Sequence, residues 1–215
     1  MSSIVFNLEE HPLSSDISVT KVSAVPEFKT LWNLRPSTRT EVYCKRLNGG
    51  TPAHRFYKSY GIVPTRRETA STYMFSGDGK ASRNEIPLEL KPVMDFMNQN
   101  RSPKEIYNQV VINWYEDGAD YTPFHVDCLD GMRNEEVAIV SLVEETKNSR
   151  YLVFKPIQKL VANAPPQLWI ASQNKMCVSF KNAALTKWRH GFPPSKESVG
   201  KRISISFRSY YSRQS

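Results

Sequence analysis

The chain has 215 residues, of which 40% are hydrophobic and 23% charged. That is enough to bury one core, and the composition is not that of a fibrous, low-complexity or disordered chain. Lys and Arg number 29 against 21 Asp and Glu, a net charge of +8, which suits a polyanionic partner such as nucleic acid and fits a generally basic surface equally well.

The three cysteines, Cys44, Cys128 and Cys177, have no metal-like spacing. They argue against a disulfide framework and for a reducing compartment. There is no apolar run of membrane length and no signal peptide. The expectation is an intracellular protein, nuclear or cytoplasmic, with no membrane contact and monomeric by default.

In chain order, residues 1–62 read as an N-terminal extension packing on a core of 63–215. Phe28, Leu31 and Trp32 are spaced for a short amphipathic helix within 25–34, with Pro26 suited to its first turn. A strand over 41–47 ends at the turn signal Asn48-Gly49-Gly50. His11 and His54 have no carboxylate at strand or helix spacing and are read as non-ligands. Arg66 and Arg67 precede a β-rich run, Thr72 to Ser76, closed by Gly77-Asp78-Gly79. Tyr73 and Phe75 share one face of that run, as aromatic residues packed in a core also do. Leu90, Val93, Met94 and Met97 form the apolar stripe of a helix over 87–101, expected to pack on a sheet.

Strands are expected at 110–115, around 125–127, and at 137–143, 151–154, 168–171, 176–180 and 202–208. Polar turns separate them, a pattern that points to an all-β sandwich or barrel, with a jelly roll the natural solution for this count. Asn113 and Tyr115 share a face, bringing an amide and a phenol to one side of their strand. A packed Tyr with its hydroxyl satisfied by backbone gives the same pattern. Lys187, Trp188 and Arg189 form a basic-aromatic cluster, read either as a nucleic-acid contact or as a charged loop edge with one buried Trp.

Two features carry chemistry. His125 and Asp127 are two residues apart, so on an extended strand an imidazole and a carboxylate point the same way. A His-x-Asp pair is by itself a short motif. A second imidazole from far along the chain would complete a 2-His-1-carboxylate set with open coordination positions, suited to non-heme Fe(II). His190 is the only His downstream. The second feature is the run 202–208, which alternates strictly: Arg202, Ser204, Ser206 and Arg208 against Ile203, Ile205 and Phe207. Its polar face suits a solvated surface strand, or the inside of a barrel with two guanidiniums facing an anionic ligand.

At these residues the sequence resembles the AlkB-like branch of the Fe(II)/2-oxoglutarate dioxygenases. The matching positions are Asn113, Tyr115, Gly118, His125, Asp127, His190, Arg202, Ser204, Ser206, Phe207 and Arg208, with Tyr73-Met74-Phe75-Ser76-Gly77 upstream. The resemblance runs from about residue 64 to 210. It implies a mainly β fold with flanking helices, built on a double-stranded β-helix (jelly-roll) dioxygenase core.

It also implies Fe(II) held by His125, Asp127 and His190, with 2-oxoglutarate and O2 as cosubstrates. Arg202 would pair the far carboxylate of 2-oxoglutarate, with Asn113 and Tyr115 hydrogen-bonded to the same molecule and Ser204 on the same wall. Arg208 would serve the iron end and steady Asp127. Residues 64–79 would form a nucleotide-recognition lid, with Tyr73 and Phe75 against a flipped base and Arg66 near the nucleotide backbone. The implied reaction is demethylation of N-alkylated bases in DNA or RNA, releasing formaldehyde, succinate and CO2.

The chain departs from nucleic-acid-repair relatives in that its Tyr60-Gly61 precedes Pro64. Gly191-Phe192 also intervenes between His190 and Pro193. Three functions follow: a demethylase of methylated nucleic acid, a dioxygenase of the same fold acting on a protein side chain or small molecule, and a non-catalytic binding module.

Overall fold

The computed structural model describes residues 8–38, 40–42, 53–61, 85–127, 129, 131–144, 150–157, 167–197 and 199–211. The strands are β1 (Ile17–Lys21), β2 (Thr40–Val42), β3 (Ala53–Gly61), β4 (Gln109–Tyr115), β5 (Thr122–His125), β6 (Glu136–Val143), β7 (Tyr151–Pro156), β8 (Leu168–Ala171), β9 (Met176–Lys181), β10 (Trp188–Phe192) and β11 (Arg202–Arg208). The helices are α1 (Phe28–Asn33), α2 (Lys91–Asn98) and the single turn α3 (Ala183–Thr186).

Two antiparallel sheets result, one in the order β1-β9-β6-β11-β4-β3-β2 and one in the order β5-β10-β7-β8. Of strands β4 to β11, four lie in each sheet, as in a jelly roll, with β1 extending one end of the larger sheet and β3 and β2 the other.

The alternation in β11 decides how the layers stack. Ile203, Ile205 and Phe207 are fully buried in one cluster with Val110, Ile112 and Trp114 of β4, Leu31 of α1, and Val93 and Met94 of α2. This is the outer side of the larger sheet. Trp114 Nε1 donates to the Leu31 carbonyl at 2.9 Å, which ties α1 to it. Each such side chain contributes roughly 2 kcal/mol by leaving water. A one-residue slip of β11 would exchange them for Arg202, Ser204 and Ser206, so the register is firmly specified. The opposite face of β11 looks between the sheets. There a second cluster, which includes Ile139, Phe154, Val178, Phe180 and Phe192, fills most of the space.

Residues 8–61 do more than pack on the core. β1 pairs with β9 and β3 with β4, so the sequence boundary at 62 is not an edge of the sheet. The reason is period-two patterning in β3. Phe56 and Tyr60 are buried in the outer cluster, whereas Arg55, Tyr57 and Ser59 lie on the other face. Of the strand expected at 41–47, the described part lies in Thr40–Val42, paired with β3; 43–47 lie outside the described residues. The helix expected over 87–101 is a 3-10 turn, Leu88–Leu90, followed by α2, with Pro92 in its first turn. Among the described residues no helix is long and apolar enough to cross a membrane.

Candidate metal centre and anion pocket

His125 ends β5, and Asp127 lies just past the strand rather than on it. His190 is the middle residue of β10 and is the direct cross-strand partner of His125. Strand alternation separates the basic-aromatic cluster. Trp188, His190 and Phe192 are buried, and Arg189 is exposed on the other face.

Gly191 is what allows β5 so close. A Cβ there would stand 2.8 Å from the Thr122 carbonyl oxygen and 3.0 Å from that of Pro123, both backbone atoms that cannot swing away. The ladder between β10 and β5 is irregular at this point.

One ligand atom from each of His125, Asp127 and His190 lies within 4.8 Å of the others. The two rings are 4.3 Å apart between centroids. His125 Nδ1 lies 2.9 Å from the Pro123 carbonyl oxygen, which can only accept, so the proton sits on Nδ1 and the Nε2 lone pair is available as a ligand. Asp127 Oδ1 accepts from Arg208 Nη2 at 2.5 Å. Its Oδ2 is 3.4 Å from His190 Nε2. Among the described residues Asp127 Oδ2 and His190 Nδ1 are buried without a hydrogen-bond partner.

Burial, and then the neighbouring His125, push the His190 imidazole down to about 3, against the pull of Asp127. Burial also lowers His125. Burial would raise the Asp127 carboxyl, but Arg208, His190 and His125 outweigh it and hold the group well below the usual carboxylate range. Two neutral imidazoles and one carboxylate anion, converging in a buried site, form a donor set that fits a divalent transition metal.

Beside this cluster lies a buried cation. Arg202 is fully enclosed. Its Nη2 donates to Ser141 Oγ at 2.9 Å. Its guanidinium carbon lies 3.6 Å from the Phe192 ring centroid and 5.1 Å from that of Tyr115. Among the described residues Nε and Nη1 have no partner, and no carboxylate pairs with the group. Burial pushes it down to about 10.

Tyr115 faces Arg202 across the β4–β11 ladder, and its hydroxyl shares a hydrogen bond of 2.7 Å with Thr122 Oγ1. Burial would raise this phenol, but Arg202, Arg55, the Thr122 bond and Arg150 outweigh it and lower it. Asn113 pairs with Ser204 in register and donates to its hydroxyl at 3.4 Å. A buried guanidinium with two idle donors, beside an amide and a phenol, is chemically complementary to a carboxylate.

The structure thus brings together His125, Asp127, His190, Asn113, Tyr115, Arg202, Ser204 and Arg208 between the two sheets. Arg66, Tyr73, Phe75 and the lid expected at 64–79 lie outside the described residues, as does Cys128. Sequence reasoning missed Arg55, Thr122, Ser141, Arg150, Gly191 and Phe192. Arg150 clamps the turn before β5, with Nη1 on the Asp117 carbonyl at 2.7 Å. Phe192 carried a usable signal, because it stands two residues from His190 in the same run; Arg55 carried none, since only strand pairing sets it beside Asn113. Arg150 carried none.

The chain matches no family model and no curated protein. Among solved structures it is similar to an oxidoreductase of the 2OG-Fe(II) oxygenase family from Burkholderia pseudomallei. The TM-score is 0.55 at 10% identity, over 97% of this chain and 95% of that one. At this identity the likeness is one of fold.

Proposed function

We propose that the protein is an Fe(II)- and 2-oxoglutarate-dependent dioxygenase that oxidatively demethylates N-alkylated bases in nucleic acid. The observation that carries the oxygenase part is the meeting of the His125, Asp127 and His190 donor set with the buried guanidinium of Arg202, which no carboxylate pairs among the described residues. Phe192, on which Arg202 rests, is two residues along β10 from His190, a step of roughly 7 Å. A ligand that chelates metal at one end and carries a carboxylate at the other suits that pairing.

In this reading His125, Asp127 and His190 hold the metal. Pro123 fixes the His125 tautomer, and Arg208 keeps Asp127 anionic and aimed. Arg202, Tyr115 and Asn113 take the far carboxylate. Phe180 and Phe154, whose rings lie 4.8 and 5.9 Å from that of His190, exclude water behind the ligands. When bound, iron and 2-oxoglutarate supply the oxidising chemistry: O2 is consumed, succinate and CO2 are released, and a hydroxylated N-methyl group is lost as formaldehyde. The protein contributes positioning and a dry, preorganised pocket.

The nucleic-acid part rests on the resemblance across 64–210 and on the net charge of +8. Arg66, Tyr73 and Phe75 are the residues proposed to meet the nucleotide. The test is succinate formation with Fe(II), ascorbate and 2-oxoglutarate, in the presence of single-stranded oligonucleotides carrying 1-methyladenine or 3-methylcytosine. Stimulation by methylated strands alone, with loss of about 14 mass units from the oligonucleotide and none in His125→Ala, supports the reading. Turnover without methyl loss would move the substrate to a protein or small molecule. No turnover in iron-loaded protein would leave a binding module.

A further inference from the structure

We infer that Arg55, a residue of the N-terminal strand β3, is a positioning residue that turns the Asn113 amide so that it offers only N–H groups to the pocket, making the site selective for a carboxylate over its neutral amide analogue. The inference rests on the 2-oxoglutarate reading above and extends it to how the far end of the cosubstrate is recognised.

A primary amide faces two ways: its oxygen accepts and its nitrogen donates. Turned wrongly, Asn113 would set an acceptor oxygen against an incoming carboxylate. Its orientation follows from its neighbours. Arg55 is buried, and its Nε lies 2.6 Å from Asn113 Oδ1. A guanidinium N–H can only donate, so the amide oxygen belongs on that side. The NH2 group then points to Ser204 Oγ, 3.4 Å away, with its second N–H left for a ligand. Next along the wall is the Tyr115 hydroxyl, and then Arg202, which has no acceptor atom at all. Arg202 and the Asn113 amide nitrogen thus present donors on this wall, and Arg55 is what brings Asn113 into line.

The strand order explains why a residue so far upstream serves the site. Tyr57 is the direct partner of Asn113 across β3 and β4, so Arg55, two residues back, shares its face. The Arg55 charge also reaches Tyr115 and His125, lowering the pKa of the phenol and of the imidazole alongside the other causes.

The experiment compares wild type, Arg55→Met, Arg55→Lys and Asn113→Asp in the full chain. Calorimetric titrations use 2-oxoglutarate and 2-oxoglutaramate, its neutral amide at the far end, with Mn(II) in place of iron. Wild type is expected to prefer the carboxylate at least ~10-fold, the scale of one charge-assisted hydrogen bond. Arg55→Met is expected to narrow the preference by ~3-fold or more, because the amide can then turn to satisfy either ligand, while the Arg202 cation keeps the remainder. Arg55→Lys, which also only donates, restores part of it.

Asn113→Asp tests the contact without any ligand. With Arg55 on Oδ1 the new carboxylate gains a charged partner and Tm rises. With Arg55 elsewhere a buried charge is left unpaired and Tm falls. Arg55→Met keeping the wild-type preference, or Asn113→Asp lowering Tm, would overturn the inference. Failure of wild type to bind 2-oxoglutarate would sink the cosubstrate reading instead, and the Tm of Asn113→Asp would still decide the Arg55–Asn113 contact.

Discussion

Replacing Arg202 by Met separates two roles that a buried arginine can have. The side chain is fully enclosed, and truncating a residue so placed usually costs about 2–5 kcal/mol. Here the charge itself is a liability. Its pKa is lowered from 12.5 to about 10 by burial, which corresponds to roughly 3 kcal/mol against the charged form in the folded state. Against that stand one hydrogen bond from the cation to Ser141, about 2 kcal/mol, and the stacking on Phe192, about 1 kcal/mol. Met fills most of the same volume. The opposing contributions cancel, so the ligand-free variant should match wild type within about 1 kcal/mol.

The ligand-bound comparison should differ sharply. At 2-oxoglutarate 100-fold above its Kd, wild type gains about 2.7 kcal/mol. For a chain of this length that is a rise in Tm of about 5–10 °C. Arg202→Met should show none of it. Urea unfolding and thermal melts with Mn(II), with and without 2-oxoglutarate, read both quantities. A ligand-free loss above about 3 kcal/mol would mean that Arg202 is a structural staple, and the carboxylate-pocket argument would fail. A retained thermal shift would refute it equally.

Two further outcomes follow from the geometry. Gly191→Ala places a methyl group 2.8 Å from the Thr122 carbonyl oxygen; it should cost about 2 kcal/mol and weaken Co(II) binding, followed by its visible absorption, by moving β5 and hence His125 away from His190. Unchanged Co(II) affinity would show that strand spacing does not set the donor cluster. In metal-free protein, stability should fall as pH drops from 6.5 toward 3. The unfolded imidazole of His190 takes up a proton near 6.5 and the folded one only near 3, so the unfolded chain binds more protons across that window and acid favours it. Asp127, with its folded pKa depressed, adds to the loss as pH falls below the ordinary carboxylate range. His190→Gln should flatten the curve of Tm against pH; a wild-type slope in that variant would contradict the burial argument.

Much of the scaffold was legible because strands advertise themselves. The β-rich runs at 110–115 and 137–143 and the alternating run at 202–208 appear as β4, β6 and β11 with small changes at their ends. The phase of β11 separated Arg202, Ser204, Ser206 and Arg208 from the apolar set, and the resemblance alone implied that they meet Asn113 and Tyr115. His-x-Asp and the lone downstream His were visible as a spacing. Where the reading fell short, the cause was long-range pairing. The run 188–192 alternates too, but it is only five residues long and contains a Gly, so it carries little strand signal of its own. Only its pairing with β7 and β5 makes it a strand. β3 was folded into an extension because nothing local says that 53–61 lies beside 109–114.

Side-chain identity and spacing alone set out the chemistry on offer: two imidazoles, a carboxylate, guanidiniums, an amide and a phenol. Side-chain identity and local periodicity are properties of neighbouring residues, and they survive without knowledge of the fold. Which of these groups meet was decided only by tertiary structure. Strand pairing sets His125 opposite His190 and Arg202 opposite Tyr115, and it brings Arg55 to Asn113 across 58 positions of chain. Burial, which lowers the Arg202 pKa and keeps His190 neutral, is likewise a property of the closed sandwich, because desolvation depends on every layer around a group and not on its neighbours in the chain.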